Sequence, residues 1–296
     1  MPIYWNIPLV LLSVLVAVIG SFAALAHAQR MRESSGRAVT LWMLAGAFTL
    51  ALAIWSMHFI GMLAFHLPIR VAFDPSLSFL SILPAIAASF LSFRVLREPS
   101  ISAGNILVSG IFMGVGISVM HYTGMAALKL SPPISYDPLI FGMSVAIAVI
   151  ASWGALLMMY QGEHIRMSKL PRFALGAVIM GSAIAGMHYT AIVGAHIQPG
   201  SVCLVDATRG IEPNILALLV SLISIFWFGG GVLASLFEQR NSQTLSALEL
   251  AHEERQQLAE RQAAEISLSL RDSRESLQRV LDSVAEGIYG VDMDGR

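Results

Sequence analysis

Charge is scarce in this chain: 12% of its 296 residues are charged, and 18 Lys plus Arg stand against 19 Asp plus Glu, for a net charge of -1. That balance leaves no basic excess with which to hold a nucleic-acid backbone, so nucleic acid is not expected as a partner. Cysteine is scarcer still. Cys203 is alone, which excludes an intrachain disulfide and leaves the redox compartment unread. No Lys or Arg occurs in Met1-Pro2-Ile3-Tyr4-Trp5-Asn6, so the apolar stretch that follows lacks the basic start of a cleaved signal peptide and reads as a span. Also absent are a Gly-rich phosphate loop, a nucleophile elbow, an HExxH helix and carboxylates at catalytic spacing. No enzyme is legible in these residues.

What the chain has is apolar length. It is 56% hydrophobic with a mean hydropathy of +0.70, which places it in the membrane class. A hydrocarbon core about 30 Å thick takes about 20 apolar residues per helical span. Seven stretches qualify: Ile7 to His27, Val39 to Phe65, Leu77 to Leu96, Asn105 to Leu128, Pro138 to Tyr160, Phe173 to Ala195, and Asn214 to Phe237. The predicted fold is an all-α membrane protein of seven transmembrane helices in residues 5–237.

The cations that do occur are placed unevenly. Arg30, Arg32, Arg37, Arg94, Arg97, Arg166, Lys169 and Arg172 lie in one set of loops, and Arg70, Lys129 and Arg209 in the other. The positive-inside rule then puts the N-terminus outside and the C-terminus in the cytoplasm, as seven spans require.

One short motif recurs inside three spans: Met57-His58-Phe59-Ile60, Met120-His121-Tyr122-Thr123 and Met187-His188-Tyr189-Thr190. The histidines are 63 and 67 residues apart, the length of two spans with their loops, so the membrane region is an internal repeat of helix pairs. Each motif falls in the last third of an even-numbered span, which brings all three histidines to a similar depth near the outer face.

Imidazole suits copper, zinc, iron and nickel, and a thioether suits soft ions, Cu(I) above all. Residues four apart share a helix face, so His58 with Met62 and His121 with Met125 are candidate ligand pairs. Gly61 and Gly124 between them let a neighbouring helix approach. In the third copy His188 stands with Ala191 and Ile192, and that methionine is missing. Met57, Met120 and Met187 sit about 100° round the helix from their histidines and are ligands only if they face a second wall of the cavity. A histidine inside a membrane helix is costly and marks function by default. Three roles remain open for the motif histidines: a metal or cofactor site, hydrogen-bonded glue between helices, and a proton pathway. Methionine is commonly core filler, and Tyr122 and Tyr189 read either as interfacial aromatics or as orienting partners of an imidazole, a role closed to Phe59.

Other residues carry weaker signals. His66 and His196 each lie eight residues beyond a motif histidine, suited to an access relay or to plain loop exposure. His27, His164 and His252 receive no role. Asp74, Asp137, Asp206 and Glu212 read as solvated loop carboxylates. Gly110, Gly114 and Gly116 form a stripe for close helix packing, and Gly229-Gly230-Gly231 marks a hinge or a loosened turn.

After Phe237 the composition changes. Glu238 to Asp282 holds 15 of the 37 charged residues and no Gly or Pro, the pattern of a long helix. Leu245, Leu248, Ile266, Leu277 and Val284 fit a broken heptad seam, so residues 238–284 read as a cytoplasmic signalling helix, either paired with a second copy of the chain in a homodimer or solvated and paired with nothing. From residue 285 a helix end at Gly287, the alternation Ile288-Tyr289-Gly290-Val291 and an Asp-Gly turn predict a strand and hairpin. Residues 285–296 resemble the start of a PAS domain, truncated after its first strand.

The threefold motif, with Trp55-Ser56-Met57-His58-Phe59-Ile60-Gly61-Met62 as its variant first copy, resembles the bacterial MHYT domain over roughly Trp5 to Phe237. The resemblance implies a multi-pass sensor in the bacterial cytoplasmic membrane whose Met and His residues hold copper. Through the metal it would sense a diatomic gas such as oxygen, carbon monoxide or nitric oxide, or the metal ion itself. It also implies fusion to PAS, GGDEF and EAL domains that make and break cyclic di-GMP. Two other functions compete. A copper transporter or channel would need ligands continued through the membrane, where only Met43, Met113 and Met180 stand. A haem-binding oxidoreductase would need room for a porphyrin among small residues.

Overall fold

The computed structural model describes residues 4–98, 102–161, 169–205 and 210–292. His164, Arg166, Asp206, Arg209 and the last four residues of the expected PAS start lie outside them. The chain divides into two units, Met1–Val232 and Leu233–Arg296.

In the first unit a two-residue strand, β1 (Tyr4–Trp5), precedes α1 (Ile7–Glu33) and α2 (Arg37–Ala64), and β2 (Phe65–His66) follows. Then come α3 (Pro75–Leu80) and α4 (Ile82–Leu96), which together make the third span, and α5 (Ala103–Ala126). Strands β3 (Leu130–Ser131) and β4 (Ser135–Tyr136) lead to α6 (Pro138–Gln161) and α7 (Lys169–Val193). Strands β5 (Ala195–His196) and β6 (Val202–Cys203) lead to α8 (Pro213–Asp292). Seven helices are long and apolar enough to cross a membrane, as the composition predicts. The chain is a multi-pass, all-α membrane protein.

Each odd-numbered span of the first three pairs starts the same way. Asn6, Asp74 and Asp137 cap their helices by accepting from Leu9 N (3.3 Å), Leu77 N (2.9 Å) and Ile140 N (3.0 Å), with a proline in the first turn. Proline costs nothing there, because those first N–H groups have no helical partner. The backbone N–H of each cap donates to the carbonyl six residues beyond a motif histidine: Asn6 to Ala64 (2.9 Å), Asp74 to Ala127 (2.8 Å) and Asp137 to Gly194 (2.9 Å). Three equivalent bonds therefore fasten the start of an odd span to the end of an even one, and fix the motifs at one depth.

The short strands lie in these loops. Tyr4 pairs with His66, Ser135 with His196 and Leu130 with Cys203, and Phe73 bridges to Ile211. The sequence reads these segments as plain loops; the pairing satisfies backbone groups that would otherwise need water. Asp74 and Asp137 are accordingly helix caps and not loosely solvated carboxylates. Asp74 also forms an ion pair with Lys129, whose hydrogen bond, with that of Leu77 N, holds its carboxyl below the ordinary carboxylate range.

Helix packing follows the small residues. Side chains at Gly110, Gly114 and Gly116 would collide with Trp153, Val149 and Ala88, so α5 lies tightly on α6 and α4 along the predicted stripe. The seventh span, the start of α8, is held to α2 by hydrogen bonds from Ser224 Oγ to Ser56 Oγ and from Trp227 Nε1 to Thr49 Oγ1, each 2.8 Å. Its other face, with Ile225 and Phe226, is exposed as a lipid-facing surface would be.

In the second unit the described side chains from Leu233 onward are exposed, including Leu245, Leu248 and Ile266 of the expected seam. The expected helix end at Gly287 and the strand after it are not observed. Helix α8 runs through both to Asp292. A strand at 288–291 needs a partner for its ladder, and in its absence helix satisfies the backbone internally.

A three-histidine candidate metal centre

His58 sits six residues before the end of α2, His121 five before the end of α5 and His188 five before the end of α7. All three are fully buried. Their Nδ1 atoms form a triangle with edges of 3.1 Å (His58–His121), 3.2 Å (His58–His188) and 3.1 Å (His121–His188). The rings stand nearly perpendicular to one another, with interplanar angles of 86°, 87° and 86°, like blades about an axis.

Two glycines make this possible. A side chain at Gly61 would collide with the His188 ring, and one at Gly124 with the His58 ring. Gly61 and Gly124 thus admit an imidazole of the preceding repeat in cyclic order, a sharper role than the helix approach the sequence suggests. Ala191, at the corresponding place in the third copy, is buried.

The triangle cannot satisfy itself by hydrogen bonds. Each Nδ1 is either a donor or an acceptor, never both, so three mutually close Nδ1 atoms allow at most two donor–acceptor pairs. One pair must oppose proton to proton or lone pair to lone pair in a buried site, where such a mismatch is costly. A cation accepting three lone pairs removes the conflict. The size also fits: the edges put the centroid about 1.8 Å from each nitrogen, so the three imidazoles would hold a small cation at ordinary metal–imidazole distances. Three protein ligands would leave such an ion able to take a further one. In that tautomer each Nε2 carries the proton, and Nε2 of all three rings is buried without a partner. Among the described residues this is the cluster of His, Cys, Asp and Glu side chains close enough to share an ion.

The candidate methionines are all interior. Met57, Met120, Met187, Met62 and Met125 belong to the buried core, and Met62 also lines a cleft at the strand-bearing end of the bundle. His66 and His196 pair through their backbones in β2 and β5, and the His196 ring faces the Gly194 carbonyl at 3.2 Å. His27 is buried, with Nδ1 2.5 Å from Ala23 O and its ring against Trp42, and His252 meets Gln256 on the exposed part of α8.

Around the triangle lies a layer the sequence reading missed. Each motif aromatic stands edge-on to its own histidine, with centroids 4.8 to 4.9 Å apart at Phe59, Tyr122 and Tyr189. Each also packs on the aromatic residue just before a helix cap of the next repeat: Phe59 on Phe73, Tyr122 on Tyr136, Tyr189 on Trp5. Seven residues beyond each cap is a buried serine, Ser13, Ser81 or Ser144. Ser144 Oγ meets Tyr122 OH at 2.8 Å and Ser13 Oγ meets Tyr189 OH at 2.6 Å. Both serines spend their own proton on a carbonyl three residues back, so the tyrosines are the donors. The tyrosine hydroxyls therefore serve the seams between repeats. Burial, with the neighbouring Tyr122, pushes the Tyr136 phenol up to about 12. The missed signal was in the sequence as Trp5-Asn6-Ile7-Pro8, Phe73-Asp74-Pro75 and Tyr136-Asp137-Pro138, each with its serine at a fixed offset.

Comparison with known proteins agrees with this repeat. The chain is 40% identical over 259 residues to the bifunctional diguanylate cyclase/cyclic di-GMP phosphodiesterase MucR of Pseudomonas aeruginosa, a match covering 86% of this chain and 38% of that protein. It is 31% identical over 242 residues to the cyclic di-GMP phosphodiesterase NbdA of the same organism, covering 80% of this chain and 30% of the relative. To the signaling protein YkoW of Bacillus subtilis it is 30% identical over 199 residues, 64% of this chain and 24% of the relative. The chain thus spans well under half the length of these relatives. No solved structure matches it. The MHYT family, described as a bacterial signalling protein N terminal repeat, matches residues 1–41, 52–109 and 114–170. His58 and His121 lie in matched segments and His188 beyond them, yet the structure closes all three into one site. The chain belongs to the MHYT family.

Proposed function

We propose that this chain is the membrane sensor part of a longer cyclic di-GMP signalling protein, and that His58, His121 and His188 hold one copper ion. The observation that carries the reading is the Nδ1 triangle, whose edges of 3.1 to 3.2 Å suit a three-coordinate ion and whose hydrogen-bond pairing is frustrated without one. Imidazole alone would serve several metals; buried methionines in every motif favour the softer copper. A bound ion would supply an open coordination position, and a diatomic gas or a change in the ion itself is the stimulus. The residues of this chain do the rest: the glycines seat the rings, the Tyr–Ser bonds hold the motif helices to their neighbours, and Ser56 links the His58 helix to α8. Helix α8 would carry the change to a cytoplasmic PAS domain and a diguanylate cyclase or phosphodiesterase, in a homodimer paired along residues 238–284. The arginine asymmetry supports an outward N-terminus in a bacterial cytoplasmic membrane, and the names of the two Pseudomonas relatives support the output.

Haem is disfavoured, because three Nδ1 atoms within 3.2 Å of one another leave no plane for a porphyrin between opposed ligands. Transport is disfavoured by the single cluster of this kind among the described residues. The test is the copper content of purified protein. His121→Ala should lower it tenfold or more, because a lost ligand removes bonding that packing never supplied, and His252→Ala should not change it. Full copper retention in His58→Ala, His121→Ala and His188→Ala alike would refute the site.

A further inference from the structure

The three seams between repeats are alike except in one respect. At the second and third, a tyrosine of the motif helix donates to a serine of the next odd span. At the first, between α2 and α3–α4, Phe59 stands where the tyrosine would be and has no hydroxyl to offer Ser81. Ser81 Oγ still donates to Ser78 O at 2.7 Å, as its counterparts donate to their own carbonyls, so its acceptor lone pairs are left unspent. The Ser78 hydroxyl beside it is fully buried and has no partner at all. Trp55 Nε1 donates to Ser78 O at 2.9 Å across this seam and its ring stacks on Phe79 at 6.1 Å, but Phe59 itself is held by ring contacts only, against Phe73 at 5.8 Å and Trp55 at 5.0 Å.

Above this seam, at the strand-bearing end, lies a cleft of about 530 Å³. Met62, His66, Phe73, Cys203 and Glu212 form part of its wall. Phe73 is the residue on which Phe59 packs, and Phe59 is edge-on to the His58 ring at 4.8 Å. One aromatic layer separates the cleft from the triangle. Its walls carry a thioether, an imidazole, a thiol and a carboxylate beside the Arg70 guanidinium, so a soft cation passing through meets single donors of its own kind and no closed binding site.

We propose that the α2/α3–α4 seam is the route by which a soft cation enters and leaves the three-histidine site, with the cleft as its vestibule and Phe59 as its door. The proposal rests on the metal reading of the triangle. An aromatic ring held by dispersion alone swings aside without breaking a hydrogen bond, whereas the same motion at Tyr122 or Tyr189 must break one and strand a buried serine. The asymmetry of the first motif copy thus sets the kinetics of the site.

The test measures copper bound per chain against time, using Cu(I) held in a buffered chelator and the whole chain in lipid nanodiscs, and then copper lost to excess chelator. Phe59→Tyr supplies the missing donor to Ser81. It should slow both uptake and loss about five- to tenfold, the change one buried hydrogen bond imposes on an opening, and leave the final copper content unchanged. Adding Ser81→Ala to Phe59→Tyr should restore the fast rates. Independently, a bulky maleimide on Cys203, the lone cysteine, narrows the vestibule and should slow loading of the unmutated protein well beyond any change that Cys203→Ser causes by removing the thiol without filling the space. Full equilibrium copper with unchanged rates in Phe59→Tyr and in the maleimide adduct would overturn the route and leave the site standing. No copper at equilibrium in the unmutated protein would overturn the site and the route together.

Discussion

The first motif helix and the other two differ in what they are fastened to. Helices α5 and α7 carry tyrosines whose hydroxyls reach serines of the next repeat, Ser144 and Ser13. Helix α2 carries Phe59 and forgoes that bond, but Ser56 and Thr49 tie it to the seventh span. Val119 and Gly186 stand at the places of Ser56 in the other copies. A threefold repeat can therefore build a symmetric histidine triangle while, among the described residues, one of its arms is hydrogen-bonded through its side chains to the seventh span. Approximate symmetry makes the site; departures from it give the site a direction.

The largest effect should come from the cradle. Gly124→Ala places a methyl group on the His58 ring, and Gly61→Ala does the same to His188. Either should lower copper content several-fold and destabilise the bundle by about 1–3 kcal/mol, as overpacking of a filled core does, read from metal analysis and thermal melts. Ala191→Gly should cost only the entropy of a helical glycine, about 0.5–1 kcal/mol, with copper retained. Equal losses at all three positions would break the distinction between the copies.

Tyr122→Phe and Tyr189→Phe should each cost about 0.5–1.5 kcal/mol, since one buried bond is lost while the serine keeps its carbonyl partner. Phe59 makes no such bond, so Phe59→Leu should change packing without touching a hydroxyl. Loss of the tyrosine O–H signals in hydrogen–deuterium-sensitive infrared spectra would confirm which bonds were removed.

Smaller again is the pH dependence at the cap of α3. The Asp74 carboxyl is lowered from its ordinary 3.8 by Lys129 and by Leu77 N. A lowered value means that its contribution is present above that ordinary value and is lost as the pH falls through the lowered one. Acid melts of Asp74→Asn should therefore lack a small part of the fall in stability seen below pH 3.8 in the unmutated protein. The alkaline limb runs the other way. Tyr136, raised to about 12, stays a phenol in the fold while its unfolded counterpart ionises near its usual 10.0, so stability should decline between those values.

The seven spans, the repeat and the three histidines were legible because each rests on one-dimensional pattern: apolar length, spacing, and the cost of imidazole in a membrane. The helix caps were equally one-dimensional but were divided between residues read for charge, Asp74 and Asp137, and one not read at all, Asn6. The Tyr–Ser layer joins residues 22 and 176 apart in sequence, and only the cyclic order of the repeats pairs them. The part played by Gly61 and Gly124 depended on the same order, since each glycine serves the histidine of another copy. At the C-terminal end local alternation predicted a strand, and helix prevailed because a strand has no partner within these residues.

The decisive measurement is X-ray absorption at the copper edge of the loaded, unmutated chain, together with its metal stoichiometry. Convergence of His58, His121 and His188 on one ion predicts one copper per chain with three nitrogen neighbours at about 2.0 Å and the multiple-scattering signature of imidazole. A first shell dominated by sulfur, or copper in amounts unrelated to the chain, would contradict it.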